Sequence, residues 1–298
     1  MLKVAVIGYG NIGKHAVQAV RATDGMELAG VVWRRAGEAD PTELKDMKVV
    51  REIEDLGTVD AALLCVPSRK VESFATGILA KGINTVDSFD MHGDGIMNLR
   101  ASLGEAAKAG GAVAIIAAGW DPGSDTVIRA ILKAAAPRGI TYTNFGPGMS
   151  MGHSVAAREA EGVANAMSLT VPLGSGLHRR MVYVELKEGA SLTDVEKSIK
   201  RDPYFSHDET HVIPVGDVSA ITDRGHGVSL IRKGAAGCED NQLFNFEMKI
   251  HGPAVTAQIM ASCALAASRQ KPGAYTMIEF PLIDLLPGRP EQNIKELA

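Results

Sequence analysis

The sequence predicts an α/β protein, with a doubly wound parallel sheet at the N-terminus and a second, α+β domain built on a mostly antiparallel sheet. Three observations carry the prediction. Over residues 1–118, short continuous apolar runs alternate with segments of helical period. A glycine-rich turn joins the first run to the first helix. Beyond Trp120 the strand-like runs begin to alternate apolar and polar residues, as strands with one wet face do.

The elements follow in order. Val4-Ala5-Val6-Ile7 suits a strand buried on both faces. Ile12, Ala16, Ala19 and Val20 recur at helical spacing. Residues 28–33, 48–50 and 61–66 are the next strands, the last stopped by Pro67. Val71, Phe74, Ala75, Ile78 and Leu79 define a helix that Gly82 ends. A strand over 83–86, a helix face of Leu99, Leu103 and Ala106, and a strand over 112–118 complete the first rhythm. A helix over 124–136 buries Val127, Ile128, Ile131, Leu132 and Ala135 before Pro137 and Gly139. Strands are then expected at 140–145, 166–171, 181–186, 212–215, 228–232 and 243–250, interrupted by a helix over 192–200. A helix over 254–268, carrying Val255, Ile259, Met260, Cys263 and Ala267, precedes a last strand over 275–280 and a polar tail. The expected division is a dinucleotide-binding domain over 1–118, a substrate-binding and dimerisation domain over 119–250, and a C-terminal segment, 251–298, that packs back on the first domain.

A chain of 298 residues accommodates about two domains. Its 31 basic and 35 acidic residues give a net charge of −4, which argues against a nucleic-acid partner or a polybasic membrane surface. The longest apolar run, 111–120, is too short to span a bilayer. The start lacks the apolar stretch of a signal peptide. Cys65, Cys238 and Cys263 are far apart and form no CxxC pair, so neither a disulfide framework nor a zinc site is expected. These features predict a cytoplasmic protein that holds no metal.

Gly8-Tyr-Gly10-Asn11-Ile12-Gly13 reads GxGxxG. Its place, directly after a buried strand and opening a helix, gives the pattern its meaning as a Rossmann-type nucleotide turn. Gly8 permits the tight turn, Gly10 lets a pyrophosphate approach the backbone, and Gly13 lets helix and strand close. The helix start offers N–H groups and a positive dipole end to the phosphates. About twenty residues on, an NAD binder carries a carboxylate for the ribose. Here Trp33-Arg34-Arg35 stands instead, with no carboxylate before Glu38. Two guanidiniums match a 2′-phosphate, so the expected cofactor is NADP.

Ligands of open parallel sheets bind beyond the carboxyl ends of the strands. Pro67-Ser68-Arg69, Asp87-Ser88-Phe89-Asp90 and Gly119-Trp120-Asp121-Pro122-Gly123 follow three of them. Carboxylates there suit a cationic substrate or a general base, or else turn and helix capping; Trp120 is expected at an exposed bend. In the second domain, residues 145–154 form a Gly-rich loop able to present N–H groups to an anion, and Thr170, Arg180 and His226 are placed to converge on a carboxylate. His207-Asp-Glu-Thr-His211 has histidines four apart, but its surroundings are not a long helix, which argues against zinc.

GYGNIG, the Arg34-Arg35 pair, CVPSR, VDSFDMHGD, AGWDPG, TNFGPGMSMGHS, HRR, GHG and KPGAYTMIE together resemble the meso-diaminopimelate dehydrogenases, over nearly the whole chain. The resemblance implies reversible NADP-dependent oxidative deamination of the D-centre of meso-2,6-diaminopimelate, in lysine and cell-wall precursor synthesis, by a homodimer. Related members accept other D-amino acids, and enzymes such as dihydrodipicolinate reductase share the two-domain plan. It implies that Asp90 and Asp121 surround the reacting amino group, and that Trp120 and Phe145 line the substrate. The N–H groups of Met151 and Gly152 would hold the D-side carboxylate, while Thr170, Arg180 and His226 clamp the distal one. The cofactor would rest on Gly8, Gly10, Asn11, Ile12, Gly13, Arg34, Arg35, Cys65, Pro67 and Ser68. Where many members carry Asn-Pro before the last long helix, this chain has His251-Gly252-Pro253, and the bare Gly252 leaves room for a broader D-amino-acid range.

Overall fold

The structure, a computed structural model, describes residues 1–37, 41–221 and 225–298; Glu38 lies outside the described residues. The chain runs β1 (Leu2–Ile7), α1 (Asn11–Ala22), β2 (Met26–Val32), β3 (Val49–Val50), β4 (Ala61–Leu64), α2 (Ser68–Leu79), β5 (Asn84–Asp87), α3 (Asp94–Gly110) and β6 (Val113–Ile115). It continues through α4 (Ser124–Ala135), β7 (Arg138–Phe145), β8 (Gly148–Ser150), α5 (Met151–Glu159), β9 (Val163–Gly174), β10 (Leu177–Leu186), α6 (Leu192–Arg201) and β11 (Glu209–Pro214). It closes with β12 (His226–Ala236), β13 (Glu239–Ile250), α7 (Gly252–Ala267), β14 (Gly273–Tyr275) and α8 (Pro290–Leu297). Two compact units result, Met1–Val127 with Pro253–Ala298, and Ile128–Gly252.

In the first unit seven parallel strands lie in the order β14-β6-β5-β4-β1-β2-β3. Alternate residues of the central strands feed two cores. Val4, Val6 and Leu63 meet α1 and α7 on one face, while Ala5, Ile7, Ala62 and Leu64 meet α2 and α3 on the other. Helix α7 is buried around most of its circumference through Ala257, Met260, Ala261, Cys263 and Ala264. Such a helix belongs inside a fold rather than on its surface.

The last strand ends at Tyr275, not near residue 280 as its apolar pattern suggests. The reason is local: Glu279 Oε2 accepts from the Thr276 N–H (2.8 Å) and hydroxyl (3.0 Å), so a side-chain turn replaces the ladder. The tail also forms a helix, α8, started by Pro290 in its first turn. The division between units falls after Val127, inside α4, rather than at residue 118. Residues 112–120 are buried with the parallel sheet, and the Ala118 N–H donates to the Asp87 carbonyl at 2.7 Å.

The second unit holds two sheets where the sequence pattern suggests one. One has the order β11-β10-β9-β8, with β11 parallel to β10, and the other the order β13-β12-β7, all antiparallel. The stretch expected as a Gly-rich loop contains β8 and the nine-residue α5. Gly146 and Gly148, at φ +93° and +146°, turn the chain where a side chain would meet the Thr170 or Gly225 carbonyl. Three glycines, a proline and two serines within ten residues mask the helical period that begins at Met151.

Candidate active site

The strand order reverses around β1 and β4, so their carboxyl ends flank a topological switch point. Gly8 follows β1 at φ +94°, and a Cβ on it would stand 2.5 Å from the Cys65 carbonyl oxygen. On Gly13 a Cβ would stand 2.1 Å from the Gly8 oxygen, whereas on Gly10 it would meet nothing within 4 Å. The first two glycines therefore serve the turn, and the third leaves bare backbone facing open space. Gly10 is the N-cap of α1, no side chain caps the helix, and its first turn has no acid. Asn11 is exposed and Ile12 half-buried in that turn. This arrangement fits an anionic pyrophosphate. After β2, Trp33 stacks edge-on with Tyr9 (5.9 Å), and the Arg35 guanidinium lies 5.6 Å from the Trp33 ring. Arg34 and Arg35 are both exposed, as a basic clamp on a ligand phosphate requires.

The loops after β4, β5 and β6 carry the expected acids, and burial sorts them. Ser68, at the start of α2 behind the exposed Pro67, donates to Asp90 Oδ1 at 2.5 Å and accepts from the Asp90 N–H at 3.2 Å. Asp90 and Asp121 are half-buried, whereas Asp87 is fully buried. Trp120 is not at an exposed bend: it is 8% exposed. The turn around it closes on itself, with the Asp125 N–H (3.0 Å) and Ser124 hydroxyl (3.2 Å) donating to the Trp120 carbonyl. The Gly119 N–H donates to the Pro122 carbonyl at 3.0 Å, across a cis Asp121–Pro122 bond.

The second unit gathers its own group. Arg180 lies directly across β9–β10 from Thr170, and its Nη1 donates to the Thr170 hydroxyl. Nε of the same guanidinium donates to Asp208 at 2.6 Å, with Arg180 8% exposed. His226 belongs to this group, because burial first, then the Arg180 charge, pull its imidazole down to about 4. His178 is likewise held low, by burial and then by Arg180. Its Nε2 accepts from the Phe145 N–H at 2.8 Å, and the two rings lie 5.5 Å apart. Both histidines are therefore neutral near pH 7, so Nε2 of His178 can accept. Met151 and Gly152 open α5, whose N-cap Ser150 makes no side-chain cap but contacts His153 Nδ1 at 2.8 Å. Their N–H groups are first-turn donors.

Structure thus brings Thr170, Arg180 and His226 together and adds His178 and Asp208, which sequence reasoning had not singled out as site residues. Asp208 lies inside the HDETH stretch, where attention falls on the histidine spacing. No sequence signal links it to Arg180, 28 residues away. Among the described residues no group of three or more His, Cys, Asp or Glu is placed to hold a metal. No helix among them is long and apolar enough to cross a membrane.

A Rossmann domain with an open phosphate turn, joined to a second unit holding a buried arginine–histidine group, defines a nucleotide-dependent oxidoreductase. Family comparison agrees and narrows it. Residues 2–86 match the oxidoreductase family, NAD-binding Rossmann fold, and residues 119–252 match the diaminopimelic acid dehydrogenase C-terminal domain. The chain is 55% identical over 297 residues to the meso-diaminopimelate D-dehydrogenase of Bacteroides fragilis, covering 100% of this chain and 99% of that protein. It superposes on C. glutamicum DAP dehydrogenase in complex with DAP, at TM-score 0.88 and 27% identity over 100% and 99% of the two chains. It also superposes on an engineered D-amino acid dehydrogenase bound to NADP+, at TM-score 0.89 and 26% identity over 100% and 99%. The chain belongs to the meso-diaminopimelate D-dehydrogenase family.

Proposed function

We propose that this chain catalyses the reversible NADP-dependent oxidative deamination of meso-2,6-diaminopimelate at its D-centre. The products are L-2-amino-6-oxopimelate (which cyclises to tetrahydrodipicolinate), ammonia and NADPH. The observation that carries the reading is the 55% identity to a meso-diaminopimelate D-dehydrogenase along the whole chain, through both units.

NADP, when bound, supplies the hydride acceptor. Gly8, Gly10 and Gly13 leave room for its pyrophosphate at the start of α1, beside Asn11, Ile12, Cys65, Pro67 and Ser68. Arg34 and Arg35 take the 2′-phosphate, which makes the enzyme select NADP over NAD. A D-amino group must lose a proton before its Cα gives up hydride, and Asp90 and Asp121 are the acids that accept it. The Ser68 hydroxyl, donating to Asp90 Oδ1 at 2.5 Å, orients that carboxylate. Trp120 and Phe145 line the substrate, and water adds to the iminium left by hydride loss, supplying the carbonyl oxygen as ammonia departs. The Met151 and Gly152 N–H groups take the D-side carboxylate, and Thr170, Arg180 and His226 take the distal one. Arg180 suits that task because a guanidinium keeps its charge when buried. The enzyme works as a homodimer in the cytoplasm, where its cysteines stay reduced.

The test is NADP+ reduction with the meso, LL and DD isomers. Turnover that requires a D-centre, with ammonia required in the reverse direction, is expected. Equal or zero rates with all three isomers would overturn the reading, and a reverse reaction indifferent to ammonia would point to a ring or aldehyde reductase.

A further inference from the structure

Three carboxylates follow the strands that carry the proposed chemistry, and the mechanism uses only two. Asp87, at the end of β5, is 0% exposed. Its Oδ1 accepts from the Phe89 N–H at 2.9 Å and from the Ala117 N–H at 3.0 Å, while its main-chain carbonyl accepts from Ala118 at 2.7 Å. Phe89 directly precedes Asp90. Ala117 leads within four residues to Trp120 and Asp121. Ala117 also sits at φ +53°, a left-handed conformation that a residue with a Cβ rarely holds without something to hold it.

We propose that Asp87 is a positioning residue: its carboxylate ties the segment bearing Asp90 to the segment bearing Asp121, and so fixes the two acids relative to each other. This rests on the function proposed above. A single oxygen shared by two N–H groups from different loops sets their separation in a way that two independent caps would not. The hydrogen bonds are charge-assisted only while Asp87 is ionised, and such bonds are roughly twice as strong as neutral ones. Burial pushes its carboxyl up to about 6, against the Phe89 and Ala117 N–H groups that pull it down. The Cys263 thiol on α7 senses it, raised by its own burial and then by the Asp87 charge. The clamp therefore tightens as pH rises through the range around 6.

The experiment compares Asp87→Asn and Asp87→Ala with wild type. Asn keeps an acceptor oxygen without the charge. It should fold normally, hold NADP+ with unchanged affinity, lose about tenfold in kcat, and lose the acid limb near pH 6 from its kcat profile. Ala should lose about 100-fold in kcat, the scale of an ångström-sized misplacement. Hydrogen exchange at Phe89 and Ala117 should quicken in both variants, more in Ala. Wild-type kcat and pH profile in Asp87→Asn would overturn the proposal. So would loss of NADP+ affinity in proportion to kcat, which marks a merely structural residue. The exchange readout needs no substrate: if wild type fails to oxidise diaminopimelate, the functional reading falls while amide protection still decides whether Asp87 is the clamp.

Discussion

Two glycines three residues apart should fail in opposite ways when each becomes alanine. Gly13→Ala puts a methyl 2.1 Å from the Gly8 oxygen and 3.0 Å from the Gly8 carbonyl carbon, where carbon contacts want about 3.5–4.0 Å. Both obstacles are backbone, so no rotamer relieves them, and the turn or the first turn of α1 must move by more than an ångström. Overpacking costs about 1–3 kcal/mol, and the rigid partner places this case near the upper end. At roughly 2–4 °C per kcal/mol for a chain of this class, Tm should fall by about 6–12 °C. Gly10→Ala differs: its backbone is extended (φ −89°, ψ −159°) and the new methyl meets nothing within 4 Å. The fold should lose only about 0.5 kcal/mol, the cost of a poorer N-cap. The methyl nonetheless stands where a pyrophosphate must approach, so NADP+ affinity should drop at least about tenfold, or 1.4 kcal/mol. Thermal melts and a fluorescence titration with NADP+ separate the two. Gly10→Ala binding NADP+ like wild type, or Gly13→Ala melting like wild type, would refute the division of roles.

Replacing Arg34 and Arg35 together with alanine should raise KM for NADP+ far more than for NAD+, since each lost charge-assisted pair is worth roughly 1.5–3 kcal/mol; equal losses would mean the pair does not reach the 2′-phosphate. His226, lowered to about 4 in the fold against an ordinary 6.5, adds an acid sensitivity. The stability tied to its neutral form is complete above about pH 6.5 and is lost progressively as pH falls through about 4, up to about 3 kcal/mol in all. His226→Gln should therefore lose less stability than wild type in urea melts between pH 7 and 4, and an equal loss would contradict the assignment. Asp208→Ala leaves the Arg180 charge buried with Thr170 alone. It should cost about 2–3 kcal/mol in urea melts, less than the roughly 3–5 kcal/mol of a fully buried pair because Asp208 remains partly wet.

Much of the parallel half was legible because β1 and β4 carry continuous apolar runs and α1 and α2 keep one apolar stripe, so period and burial agree there. The glycine turn was legible for the same reason, since it stands where strand period changes to helix period. Helix α5 was not, because its opening glycine and serines hide the period and its place is set by the turn at Gly146–Gly148. Nor was the split of the second unit into two sheets, since alternation reports which face is wet and not which strands pair. The Arg180 pair with Thr170 follows from β9–β10 register, which is fixed only once the hairpin forms. Its pairing with Asp208 depends on the chain returning along β11, parallel to β10, and no local pattern announces that.

The acids show most plainly what sequence leaves open. Asp87, Asp90 and Asp121 all follow parallel strands, and any of them reads equally as a cap or as a base. Desolvation separates them. Asp87 has no exposed surface, and that burial resists the charge that a proton acceptor for an ammonium must carry at rest, against the pull of the two backbone N–H groups on its Oδ1. Asp90 keeps contact with solvent and accepts a hydrogen bond from the Ser68 hydroxyl. The same physics runs in reverse around Arg180. There Asp208 offsets the guanidinium charge, and burial keeps His178 and His226 neutral, so the group holds one firm cation rather than three competing ones.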